Sequence, residues 1–187
     1  MKTNNKIEKA HRNLLMFGMF SVIMLFAGLT SAYIVSKGAL GSKWDIIILP
    51  NMFYISTIMI SISSLFGFFA IKYCRLNNFR MIKQSLLVTM CFGFLFAICQ
   101  LFGWNALVLE GKFLSGNNVA ASYLYILTIA HLLHLVGGLI AIIVVTFRAN
   151  KNKYTSQNYN GLKLAIRFWH FLAILWIYLV LFLVLIN

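Results

Sequence analysis

Acidic residues are nearly missing from this chain. Among 187 residues there are three Asp and Glu (Glu8, Asp45 and Glu110) against sixteen Lys and Arg. Charged residues of both signs make up 10% of the chain, where a soluble domain carries about a quarter. Proline occurs once, as Pro50. Cysteine occurs three times, as Cys74, Cys91 and Cys99, with no CxxC and no metal-ligand spacing, so neither a disulfide framework nor a cysteine-built metal site is implied. The scarcity of acids excludes catalysis by paired carboxylates inside any apolar segment. A net charge of +13 would point to nucleic acid in a soluble protein. Here the basic residues stand between long apolar runs, which points to lipid headgroups and membrane topology instead.

Apolar residues are what the chain has in plenty: 61% of the total, with a mean hydropathy of +0.87. They fall into five runs, Leu14–Val35, Ile47–Ile71, Leu86–Val108, Tyr123–Phe147 and Leu164–Ile186. Each meets the about 20 residues that cross a bilayer as a helix. Helices are required because backbone polar groups in lipid must be satisfied within the segment. A barrel would alternate apolar and polar residues, and these runs do not. The expectation is one all-α transmembrane domain over 1–187, with Pro50 in the first turn of the second span, where its missing N–H costs little. The basic stretch MKTNNKIEKAHRN precedes an apolar run too long for a signal-peptide core, and is read as the lead-in to a retained first span.

The connections set an orientation. Thirteen Lys and Arg precede span 1, join spans 2 and 3, or join spans 4 and 5; the other side holds Lys37, Lys43 and Lys112. Cytoplasmic loops collect Lys and Arg, so the N-terminus is expected inside and the C-terminus outside. Tyr33, Trp44, Trp104 and Tyr123 then lie near the outer boundary, as an aromatic belt requires.

Polar groups within spans are costly and therefore informative. His131 and His134 share one face of span 4 at i and i+3, and His170 lies in span 5. Two histidines that close on one helix cannot take opposite axial positions on one haem, so a pair would need His170. By rise per residue, His170 lies roughly 8 Å to the inner side of its span's midpoint, while His134 is near its own. That offset disfavours a haem or metal pair and favours hydrogen bonding across helices or to lipid. Ser56, Thr57, Ser61, Ser63 and Ser64 have no acid or base nearby to activate them and are read as helix-packing residues. Gly28, Ser31, Ala32, Gly137 and Gly138 would let backbones approach closely. The Arg148–Arg167 connection is read as a solvated, headgroup-facing loop, with a specific lipid-phosphate site as the lesser alternative. These residues describe a helical membrane subunit without a catalytic centre.

Five segments carry a resemblance. "LTIAHLLHLVGGL" (127–139) resembles the signature of subunit III of haem-copper terminal oxidases, an H-x-x-H pair followed by glycine. "RFWHFLAILWIY" (167–178) resembles that family's last helix, with W-H-F and a second tryptophan. "LFAGLTSAYIV" (25–35), "STIMISISS" (56–64) and "CQLFGWNALVLEG" (99–111) are similar to its other helices, in the family's order. The chain looks like the five-span bacterial form, which lacks the first two spans of the seven-span form. It departs from the family where acids are frequent: Val22 follows Ser21, Ala173 follows the W-H-F element, and Gly103 precedes Trp104. Carboxylate roles at those places do not carry over.

The resemblance implies a non-catalytic subunit III of a proton-pumping respiratory oxidase in the bacterial cytoplasmic (inner) membrane. It would stabilise the catalytic subunit I beside subunit II, hold phospholipid and support proton uptake during oxygen reduction. Haems and copper would belong to the partners, with no metal in this chain. His131, His134, Trp169, His170 and Trp176 are the residues implied in lipid or interhelical contact. A quinol-oxidase or nitric-oxide-reductase-associated subunit fits the same pattern, and a haem-binding membrane anchor is the alternative of another class. A transporter is disfavoured because five spans give no even repeat.

Overall fold

The computed structural model describes residues 2–115, 118–151, 154–155 and 159–186, with the side chains of all of these except 2–5, 7 and 43. Of the basic residues that set the orientation, Lys153 and the side chains of Lys2 and Lys43 lie outside the described residues. Five helices follow in order: α1 (Lys2–Leu40), α2 (Asn51–Arg75), α3 (Phe79–Leu109), α4 (Val119–Asn150) and α5 (Asn160–Ile186). No β-strand occurs among the described residues, and all five helices are long and apolar enough to cross a membrane.

Most helices overrun the apolar runs, because hydropathy marks only what lipid must cover while backbone hydrogen bonding continues into polar ends. α1 begins at Lys2 instead of Leu14, and α3 at Phe79 instead of Leu86. Span 2 is the exception. Its helix starts at Asn51 rather than Ile47, and Pro50 is the residue before the first turn, with φ −59° and ψ 145°. Proline biases the residue ahead of it away from the helical region. The stretch Ile46–Leu49 is accordingly non-helical and alternates: Ile47 and Leu49 are buried, Ile46 and Ile48 exposed. With the buried Trp44 it folds over that end of the bundle.

Local signals set the other ends. Asn78 Oδ1 accepts from the Met81 amide at 3.3 Å, and Asn118 Oδ1 from the Ala121 amide at 3.0 Å. Each side chain satisfies a donor that the helix start leaves open. Asn77 turns the chain between α2 and α3 with φ 53°, a left-handed conformation asparagine tolerates better than most residues.

α2 and α3 pack as an antiparallel hairpin, and α5 lies antiparallel along α2, with Trp176 beside Thr57 and Trp169 beside Ser63. α4 closes a four-helix square between α3 and α5. Three glycines permit the closest approaches, and a Cβ on Gly103 would stand 2.7 Å from the Phe53 ring. A Cβ on Gly93 would stand 2.8 Å from the Trp169 ring, and one on Gly138 2.8 Å from Leu172. Gly28 and Gly137, expected at close contacts, are exposed and have nothing within 4 Å of such a Cβ; only Gly138 of the three meets another helix. Sequence spacing shows which residues are small but not which face is covered.

α1 stands outside the square, parallel to α5. Among its described side chains it is buried only at Val22, Phe26, Thr30 and Tyr33. Thr30 lies 3.3 Å from the Tyr178 hydroxyl, Ser36 is 2.8 Å from that of Tyr123, and Lys37 donates to the last carbonyl of α5, Ile186. All these contacts lie in its second half; the first half faces α4 and α5 across a groove.

Candidate functional site

The interior of the bundle is organised by hydroxyls on α2. Thr57 Oγ1 accepts from the Trp176 indole at 3.0 Å, and Ser63 Oγ accepts from that of Trp169 at 3.0 Å. Ser64 Oγ hydrogen-bonds His170 Nδ1, and Ser56 Oγ accepts from Gln100 Nε2 at 2.9 Å. Trp169 and Trp176 are seven residues apart, two turns along one face of α5, which is why both reach the same flank of α2. Ser63 also donates to the Thr89 carbonyl at 2.8 Å, so one hydroxyl joins α2, α3 and α5. On the other side of the square, Trp104 donates to Thr128 at 3.0 Å and ties α3 to α4. An interhelical hydrogen bond in a bilayer contributes about 0.6 kcal/mol; the value of the set lies in fixing register more than in depth of stabilisation.

The three span histidines occupy three separate surroundings. His131 is fully buried, with its ring 5.0 Å from that of Trp176, 5.8 Å from Phe96 and 6.4 Å from Phe26. Neither of its nitrogens has a hydrogen-bond partner among the described residues. His134 is half-buried beside Phe26, and its Nδ1 lies 2.7 Å from the Ala130 carbonyl of its own helix. His170 faces α2. His131 sits level with Trp176, six residues and about 9 Å along α5 from His170, so the two rings do not face one another across a shared space. No group of three His, Cys, Asp or Glu placed to hold a metal occurs among the described residues.

Gln100 was given no role from sequence, yet it is 1% exposed and bridges α3 to α2. A side-chain amide in an apolar run is itself a signal, because lipid does not tolerate it without a partner; the run holds two, Gln100 and Asn105, of which Gln100 is buried and Asn105 exposed. Phe26 was also missed; nothing in its type separates it from the sixteen other phenylalanines.

A second feature lies at the end where α1 and α5 begin. Lys9, Arg12, Lys163 and Arg167, with Glu8 and Asn160, surround a cavity of about 230 Å³. Leu164 joins it to an apolar groove of about 740 Å³ between α1, α4 and α5, walled by Leu14, Met19, Val144 and Phe168.

The family profile of cytochrome c oxidase subunit III matches residues 2–186. This chain belongs to that family. Three relatives match over most of their lengths. "Cytochrome c oxidase subunit 3" of Corynebacterium diphtheriae is 28% identical over 163 residues, covering 83% of this chain and 78% of the relative. "Probable cytochrome c oxidase subunit 3" of Mycobacterium leprae is 26% identical over 165 residues, covering 84% and 78%. "Cytochrome bo(3) ubiquinol oxidase subunit 3" of Buchnera aphidicola is 25% identical over 185 residues, covering 94% and 86%. Subunit III proteins belong to membrane oxidase complexes, which implies oxidase partner subunits for this one. The matched length takes in all five helices and both tryptophans that reach α2.

Proposed function

We propose that this chain is the non-catalytic subunit III of a proton-pumping respiratory haem-copper oxidase in a bacterial cytoplasmic membrane. In this reading its N-terminus faces the cytoplasm. It packs against the catalytic subunit, holds phospholipid, and sustains proton uptake indirectly. The observation that carries the reading is where the polar groups are spent. The span hydroxyls, indoles and the one buried amide bond to one another or to backbone carbonyls, and no acid stands among them to relay protons. A family member built so contributes shape and lipid, and leaves haem and copper chemistry to its partners.

The basic cavity and the groove below it support the lipid role. Four cations at the mouth suit a phosphate, and an apolar slot beneath them suits acyl chains. Histidine, indole and helix-contact roles at His131, His134, Trp169, His170 and Trp176 belong to the same reading: they hold the bundle in the shape its partner meets.

The test is copurification of the tagged chain from native membranes. Recovery with haem- and copper-bearing subunits supports the reading, while a polypeptide that purifies alone and carries its own Soret band refutes it. A His134→Ala, His170→Ala double variant tests the side-chain roles, through subunit retention and the number of turnovers before inactivation. The Buchnera relative favours a second reading, a quinol oxidase; oxygen uptake with quinol against cytochrome c as donor separates the two.

A further inference from the structure

His134 is a hydrogen-bonding group placed where neither water nor headgroups reach. It stands at the middle of α4, Val119–Asn150, about 23 Å of helix from either end. Half the hydrocarbon core of a bilayer is about 15 Å thick. Its Nδ1 lies 2.7 Å from the Ala130 carbonyl oxygen. A carbonyl only accepts, so Nδ1 carries the ring proton, and in the neutral ring Nε2 keeps a free lone pair. No donor to Nε2 is found among the described residues.

The ring is half-buried rather than sealed. Phe26 covers one side at 5.8 Å, and the remainder opens to the outer surface of the bundle. One turn along the same face, Gly137 is exposed with open space around it. Leu133, Val136 and Ile140 beside it are exposed as well. Acyl chains have no donor to offer, and an acceptor left unmet in hydrocarbon is unfavourable. A neighbouring helix offers a donor and can lay its backbone close where a glycine leaves room. The exposed middle of α3 differs: Leu87, Cys91, Phe94 and Ile98 present neither a midplane acceptor nor a glycine, and that face suits lipid.

Resting on the reading of this chain as an oxidase subunit, we propose that the His134–Gly137 face of α4 docks a transmembrane helix of a partner oxidase subunit. That helix presents a hydroxyl, amide or indole donor to His134 Nε2 and crosses α4 at Gly137.

The experiment uses the intact complex in native membranes. A photo-crosslinking side chain is placed at Leu133, with Ile98 on α3 as control. The expected result is a crosslink from Leu133 to a transmembrane peptide of a partner subunit, while Ile98 labels lipid. Lipid adducts alone at Leu133, or adducts to a second copy of this chain, overturn the proposal. Gly137→Leu fills space that this chain leaves open, so it should accumulate in the membrane normally yet recover about tenfold less partner. His134→Phe should lower recovery about threefold, the size of one interhelical hydrogen bond in a bilayer. Unchanged recovery in both variants overturns the proposal while leaving the subunit III reading intact. Failure of the wild-type chain to recover any oxidase subunit defeats that reading first.

Discussion

Replacing Gly93 by alanine tests how tightly the Trp169 side chain fills the middle of the four-helix square. The added Cβ would lie 2.8 and 2.9 Å from two atoms of the Trp169 ring and 2.9 Å from Leu139 Cδ2. Carbon atoms rest at about 3.5–4.0 Å, so the ring must shift by several tenths of an ångström. It has little room to do so. Trp169 is fully buried, its indole N–H is held by Ser63, and Gly138 already lies against the other part of the ring. Overpacking of this kind costs about 1–3 kcal/mol. Gly28→Ala is the matched control: it is also helical but has nothing within 4 Å, and glycine to alanine in a helix is worth about 0.5–1 kcal/mol in the other direction. That gain is common to both helical sites and cancels, so the two variants should differ by the overpacking cost alone, about 1–3 kcal/mol. The assay is thermal unfolding in mild detergent, followed by tryptophan fluorescence. Equal transitions for Gly93→Ala and Gly28→Ala would refute the claim that the α3–α5 contact is tight at Trp169.

Three further outcomes follow from the same packing. Trp169→Phe and Trp176→Phe should each cost little beyond a hydrogen bond of about 0.6 kcal/mol, whereas Trp169→Ala should cost about 3–5 kcal/mol by opening a cavity; detergent unfolding midpoints check both. Gln100→Leu should be close to neutral in the same assay, because it removes an amide whose Oε1 has no partner among the described residues along with the bond to Ser56, while Gln100→Glu should prevent accumulation in the membrane by placing an acid in the core. Tyr154, in the connection between α4 and α5, is raised above its ordinary value of about 10 by burial, with Arg148 acting against the shift. Its folded state therefore holds the proton after the unfolded chain has lost it, so this group's contribution to stability falls as pH rises above about 10. An absorbance titration should show a smaller late tyrosinate component in Tyr154→Phe, and an unchanged titration curve would contradict the burial.

Much of this protein was legible before any coordinates. Runs of about 20 apolar residues with no acid inside them leave the backbone no choice but helix, so the number of helices and their approximate places follow from composition alone. The family also shows in residue identity and order, because His131, His134, Trp169 and Trp176 stand at spacings that do not need three dimensions to be seen. What needed the tertiary structure was direction. Ser63 and Ser61 read alike in the sequence, yet Ser63 accepts an indole across the bundle while Ser61 bonds back to its own helix at the Thr57 carbonyl. Gly137 and Gly138 are adjacent; one is open and the other touches Leu172 and Trp169. The run Ile46–Leu49 is as apolar as a span but lies outside any helix, ahead of Pro50. In lipid nearly every face of a helix is apolar, so hydropathy fixes that a segment is embedded but carries little information about which side meets a neighbour. That choice is made by close packing and by the pairing of the few polar groups, and both exist only once the helices are side by side.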